Sequence, residues 1–138
     1  MDKSRLSQYR ALKKEQPMIE KKLDKLYKQK ASIPDVMGKV QKSSAEFPYT
    51  MGYMPVEIVE PKEAQRIGKQ IDINEARLAG VKADILEIER FIQGIENSVD
   101  RQIIELVYLE GKKYKEVGEI VGYTKGRISQ KISEILKD

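Results

Sequence analysis

The sequence predicts an all-α protein, with a long helical hairpin or coiled-coil stalk over residues 1–97 and a small helix-turn-helix domain over residues 98–138. Three observations predict it. Two stretches carry apolar residues at spacings that alternate three and four, the seam of a helix that packs on another helix. Four of the five prolines fall between those stretches and hold them apart. The C-terminal segment breaks into short helical periods punctuated by Gly111 and Gly122.

The first seam is Tyr9, Leu12, Gln16, Ile19, Leu23, Leu26, Lys30 and Ile33, six of the eight being apolar. Pro17 removes one backbone donor and its ring opposes the carbonyl of Lys13, so a kink or a restart is expected there. Residues 32–61, with Pro34, Pro48, Pro55 and Pro61, are expected to be non-helical. Val56, Ile58 and Val59 have the composition of a short strand, which a turn at Met51-Gly52 would fold back on Phe47 to Tyr49 as a β-hairpin. The nearby cluster of Phe47, Tyr49, Tyr53 and two methionines either caps the helical hairpin or forms a partner-binding tip.

The second seam is longer: Ala64, Ile67, Ile71, Asn74, Leu78, Val81, Ile85, Ile88, Ile92 and Ile95. At ~1.5 Å per residue it makes a rod of roughly 45 Å, too long to sit inside a domain of this size. Its partner is either the first helix, in an antiparallel hairpin, or a second protomer. A Pro17-interrupted helix is too short to cover the whole stripe, so a homo-oligomer, with a dimer favoured, is expected. Asn74 is the one polar seam position, in the manner of a register-setting or oligomer-specifying residue rather than a ligand.

After Ser98, a candidate N-cap with Asp100 in the first turn, the apolar face Val99, Ile103, Leu106, Val107 and Leu109 runs to Gly111. A helix over 114–121 follows, then Gly122-Tyr123, then a helix capped by Thr124 and running to about Leu136. The spacing meets each need of a helix-turn-helix. Gly118 is small where the helices approach closely, Gly122 takes a left-handed turn, and Val117, Val121, Tyr123 and Ile128 form a buried wedge. This segment is also locally basic. Residues 111–133 hold Lys112, Lys113, Lys115, Lys125, Arg127 and Lys131 against only Glu116 and Glu119.

Composition excludes much chemistry. With no Cys, His or Trp there is no disulfide, zinc finger, histidine-ligated metal, cysteine nucleophile or histidine base. The carboxylates fall mainly on outer helix faces and no glycine loop cradles a phosphate, so neither an enzyme nor a cofactor is expected. A charged start, and no run near the ~18 apolar residues that span a bilayer, lead to the expectation of a soluble cytoplasmic protein without membrane partners. The net charge of +4 permits nucleic-acid binding, and residues 1–31 carry ten basic and four acidic side chains.

The string Glu116-Val117-Gly118, five residues, Thr124, two residues, Arg127-Ile128, one residue, Gln130 resembles the helix-turn-helix of region four in sigma-70-type transcription factors, which reads the promoter −35 element. The resemblance is ungapped and reaches back to Asp100-Arg101-Gln102-Ile103-Ile104-Glu105-Leu106. Nothing resembles the promoter-melting region two. The basic helical N-terminal part and the Phe-Pro-Tyr-Thr linker are similar to phage-encoded late-gene transcriptional regulators of the RinA and ArpU type. The resemblance implies a double-stranded DNA interface at Lys112, Lys113, Lys115, Thr124, Lys125, Gly126, Arg127, Ser129, Gln130 and Lys131. It makes Lys125, Gly126, Ser129 and Gln130 outward positions of the recognition helix and Arg127 a backbone contact. Gln130 suits adenine, and Lys125 suits guanine or a phosphate. Gly126 stands where the family has an acidic residue and Ser129 where it has a basic one, so the operator is not expected to be a −35 consensus.

The function expected is sequence-specific DNA binding by a transcription regulator, as in a phage or prophage late-gene activator working with host RNA polymerase. Two readings from other classes stand beside it: a small terminase-like DNA-packaging protein, and a structural coiled-coil adaptor.

Overall fold

The computed structural model describes residues 1–33 and 54–136, with side chains from residue 62 onward in the second stretch. Among the described residues every regular element is helical: α1 (Lys3–Ser7), α2 (Tyr9–Ala31), α3 (Met54–Gln93), α4 (Ser98–Ile104), α5 (Tyr114–Val121) and α6 (Lys125–Ile135). A π-helical turn, Glu105–Leu109, continues α4. Packing divides the chain into two compact units, Pro17–Ala79 and Met1–Gln16 with Gly80–Asp138.

The break in the N-terminal helix falls at Gln8 rather than at Pro17. Asp2 caps α1 by accepting from the Arg5 amide at 2.8 Å, and α2 runs unbroken through Pro17. Pro17 is exposed, so the Lys13 carbonyl that loses its helical donor can be met by water. The non-helical expectation also fails at the other end of the connector. Residues 54–61 begin α3, and Val56, Ile58 and Val59 are helical rather than a strand. Pro55 stands in the first turn, where its missing N–H has no intrahelical acceptor to lose. The turn at Met51-Gly52, its partner Phe47 to Tyr49 and the aromatic cluster lie outside the described residues.

In the Pro17–Ala79 unit, Ile19 and Leu23 of α2 and Ile67, Ile71 and Asn74 of α3 are buried, as both seams require. Asn74, only 3% exposed, satisfies its amide locally by donating to the Gln70 carbonyl at 2.7 Å. The Tyr27 hydroxyl donates to Glu75 at 2.6 Å across the two helices.

In the other unit, Leu6 and Tyr9 are buried together with Val81, Ile85, Ile88 and Ile92 of α3. Polar contacts align the same helices: Arg5 donates to Asp84 at 3.0 Å and to Glu87 at 2.7 Å. The Tyr9 hydroxyl donates to Glu89 at 2.7 Å, and burial with this hydrogen bond pushes the phenol up to about 12. The second seam is therefore buried within a single chain. This removes the argument that the stripe needs a second protomer.

The C-terminal helices close on one another around Ile103, Ile104, Val117, Ile128 and Ile132, each fully buried. At the start of α4, Asn97 rather than Ser98 is the cap, accepting from the Asp100 amide at 3.0 Å. The π turn re-aims the side chains beyond Ile104. Ile104 and Tyr108, absent from the expected apolar face, are buried, while Val99, Leu106, Val107 and Leu109 are half-covered. Burial and a hydrogen bond with Tyr114 push the Tyr108 phenol up to about 12.

Candidate nucleic-acid interface

The turn between α5 and α6 is built from two glycines with different duties. Gly122 ends α5 at φ +83°, in the left-handed region that a side chain disfavours. Gly118 has ordinary helical geometry, but a Cβ there would collide with the carbonyl oxygen of Tyr123 and sit 3.3 Å from its carbonyl carbon. The close approach is thus between α5 and the turn backbone, a more local contact than the expected helix crossing. The Gly118 carbonyl holds that backbone by accepting from the Gly122 and Tyr123 amides at 2.8 and 2.9 Å. Val117 and Ile128 are the fully buried part of the wedge; Val121 and Tyr123 are half-buried at its rim.

Thr124 begins α6 with its hydroxyl accepting from the Arg127 amide at 3.1 Å. This cap sets where the helix starts and so which residues face outward. Lys125, Gly126, Ser129 and Gln130 are all exposed. Lys113 and Lys115, at the start of α5, are exposed as well, and Lys112 is half-exposed. These cations flank the turn without a carboxylate partner among the described residues.

Three sequence-predicted residues are already engaged with other side chains of the chain. Arg127 donates from Nη1 to Gln130 Oε1 at 3.0 Å, lies 3.8 Å from Glu134 and has its guanidinium carbon 5.9 Å from the Tyr123 ring centroid. The Arg127 and Gln130 side chains are therefore joined to each other in this structure. Lys131 pairs with Asp100 of α4 at 3.1 Å, with side chains only 18% and 19% exposed. The placement fits a strut that sets α6 against α4. Asp100 carried a signal only as a first-turn acid, so its pairing across thirty residues was not readable from spacing.

A third contact lies outside the motif. Gly111, at φ +73°, leaves α4 and its π turn, and the Arg10 guanidinium of α2 packs where its Cβ would be.

No curated protein and no solved structure matches the chain. Among the described residues no helix is long and apolar enough to cross a membrane. Residues 97–138 match the family model described as Sigma-70, region 4, which gives this segment a helix-turn-helix DNA-binding fold and a transcription-regulator-like function.

Proposed function

We propose that the protein is a sequence-specific, non-enzymatic transcription regulator of the phage or prophage late-gene activator kind, acting on double-stranded DNA with host RNA polymerase in the cytoplasm. The observation that carries the reading is the outward row Lys125, Gly126, Ser129 and Gln130, presented by a helix whose start is set by the Thr124 cap. Exposed amide and ammonium groups at the front of such a helix suit base edges in the major groove. Lys112, Lys113 and Lys115 supply phosphate contacts beside them.

Two copies reading two half-sites would gain both affinity and selectivity. Because the second seam is buried within one chain, such a dimer would use other surfaces. A sigma-like domain that offers one face to DNA leaves another for the polymerase, which favours activation over simple occlusion.

Selection of bound sites from a random DNA pool tests the reading. A defined consensus is expected, palindromic if a dimer reads it; recovery of no consensus would overturn sequence-specific binding. Purified transcription on a template carrying that consensus then tests activation. Transcript yield lowered or unchanged at every spacing would refute activation.

A further inference from the structure

A cleft of about 320 Å³ opens between α2 and the end of the π turn, lined by Tyr9, Arg10, Lys13, Lys14 and Leu109. Three of its five lining residues are cations. None of the three has a carboxylate partner among the described residues. The Lys13 ammonium lies 6.0 Å from the Tyr9 ring centroid, and the Tyr9 hydroxyl occupies Glu89 at 2.7 Å. The floor is fixed: Arg10 covers Gly111, whose positive φ and missing side chain admit the guanidinium. Lys112 and Lys113 follow Gly111 directly in the chain, so the basic start of the helix-turn-helix begins next to the residue that seats Arg10.

From this we infer that the α2–π-turn cleft binds DNA backbone phosphates beside the site read by α6, making α2 a second arm of the DNA interface. The inference rests on the DNA-binding reading above. Three cations held at one cleft, with an arginine able to give two parallel hydrogen bonds, suit a phosphodiester better than a base edge. Such contacts add affinity and register but carry no base preference.

The test uses the full chain and a duplex carrying the selected site with long flanks. Arg10→Gln/Lys13→Gln/Lys14→Gln is compared with Lys21→Gln/Lys22→Gln/Lys25→Gln, which removes the same charge from exposed positions further along α2. Each phosphate contact contributes ~0.9 to the slope of log affinity against log salt. The cleft variant should therefore lower that slope by about 2 to 3, with the ratio of specific to random binding unchanged. The difference from wild type should vanish on a duplex trimmed to the selected site. Lys13→Gln/Lys14→Gln, which keeps Arg10 on Gly111, should lower the slope by about 2 and guards against misfolding of the triple variant.

Equal slope changes in the two triple variants, or none in the cleft variant, would overturn the inference while leaving DNA binding intact. So would a loss confined to poly-glutamate binding, which would assign the cleft to an acidic protein segment. Failure of the wild type to bind any DNA would instead overturn both readings.

Discussion

Replacing Gly118 by Ala isolates the close approach that shapes the helix-turn-helix. The new Cβ would overlap the Tyr123 carbonyl oxygen, and backbone rather than a flexible side chain must give way. That backbone cannot slide freely, because the Gly118 carbonyl accepts from both Gly122 and Tyr123. Overpacking of this sort costs about 1–3 kcal/mol, and each turn hydrogen bond weakened adds up to about 1 kcal/mol. Alanine's better helix propensity returns up to ~1 kcal/mol, leaving a net loss of about 2–3 kcal/mol. Gly126→Ala is the control: no atom lies within 4 Å of its added Cβ, and the same propensity should stabilise it by up to ~1 kcal/mol. Urea unfolding followed by far-ultraviolet circular dichroism would place the two midpoints on opposite sides of wild type. Equal midpoints for the two variants would refute the steric argument.

Arg127→Ala should flatten the salt dependence of DNA binding by about one counterion, while Gln130→Ala should relax preference at one base pair by about 1–3 kcal/mol. Since these side chains are hydrogen-bonded at 3.0 Å, the double variant should lose less than the sum, and strict additivity would refute the pairing. Asp100→Asn leaves the Lys131 ammonium half-buried without its counter-charge and should cost about 1–3 kcal/mol, partly recovered in Asp100→Asn/Lys131→Met. An unchanged urea midpoint would remove the strut. Ile85→Asp/Ile88→Asp places charge where the single chain leaves at most 5% exposure. It should unfold the Met1–Gln16, Gly80–Asp138 unit at a cost of several kcal/mol, and a folded monomeric variant by sedimentation would contradict burial within one chain. The raised phenols of Tyr9 and Tyr108 favour the neutral form in the folded state, so their contribution is complete below pH 10 and is lost as pH rises towards 12. Each loss is on the order of 1–3 kcal/mol and should be blunted in the Tyr→Phe variants, as read by urea midpoints across this range.

Elements whose causes are local were legible from the order of residues. Burial demand repeats at helical spacing, so Ile67 to Ile92 could be read as one buried stripe. The left-handed turn at Gly122 and the cap at Thr124 need only neighbouring backbone, and both stand where spacing put them. Local rules failed where a residue's usual tendency was overridden by position in the helix: Pro17 is carried on an exposed face, and Pro55 stands in a first turn. The break at Gln8 and the π turn were not legible either, because each re-aims a helix toward a partner distant in sequence.

Which charged groups are available at the candidate site depends instead on contacts between segments far apart in the chain. Lys131 reads as one more lysine of a basic run until Asp100 draws it against α4, and Arg10 reads as a stalk cation until Gly111 gives it a seat beside Lys112. Periodicity records how much surface a residue must hide, but a pairing between distant segments depends on the distance that folding leaves between their side chains.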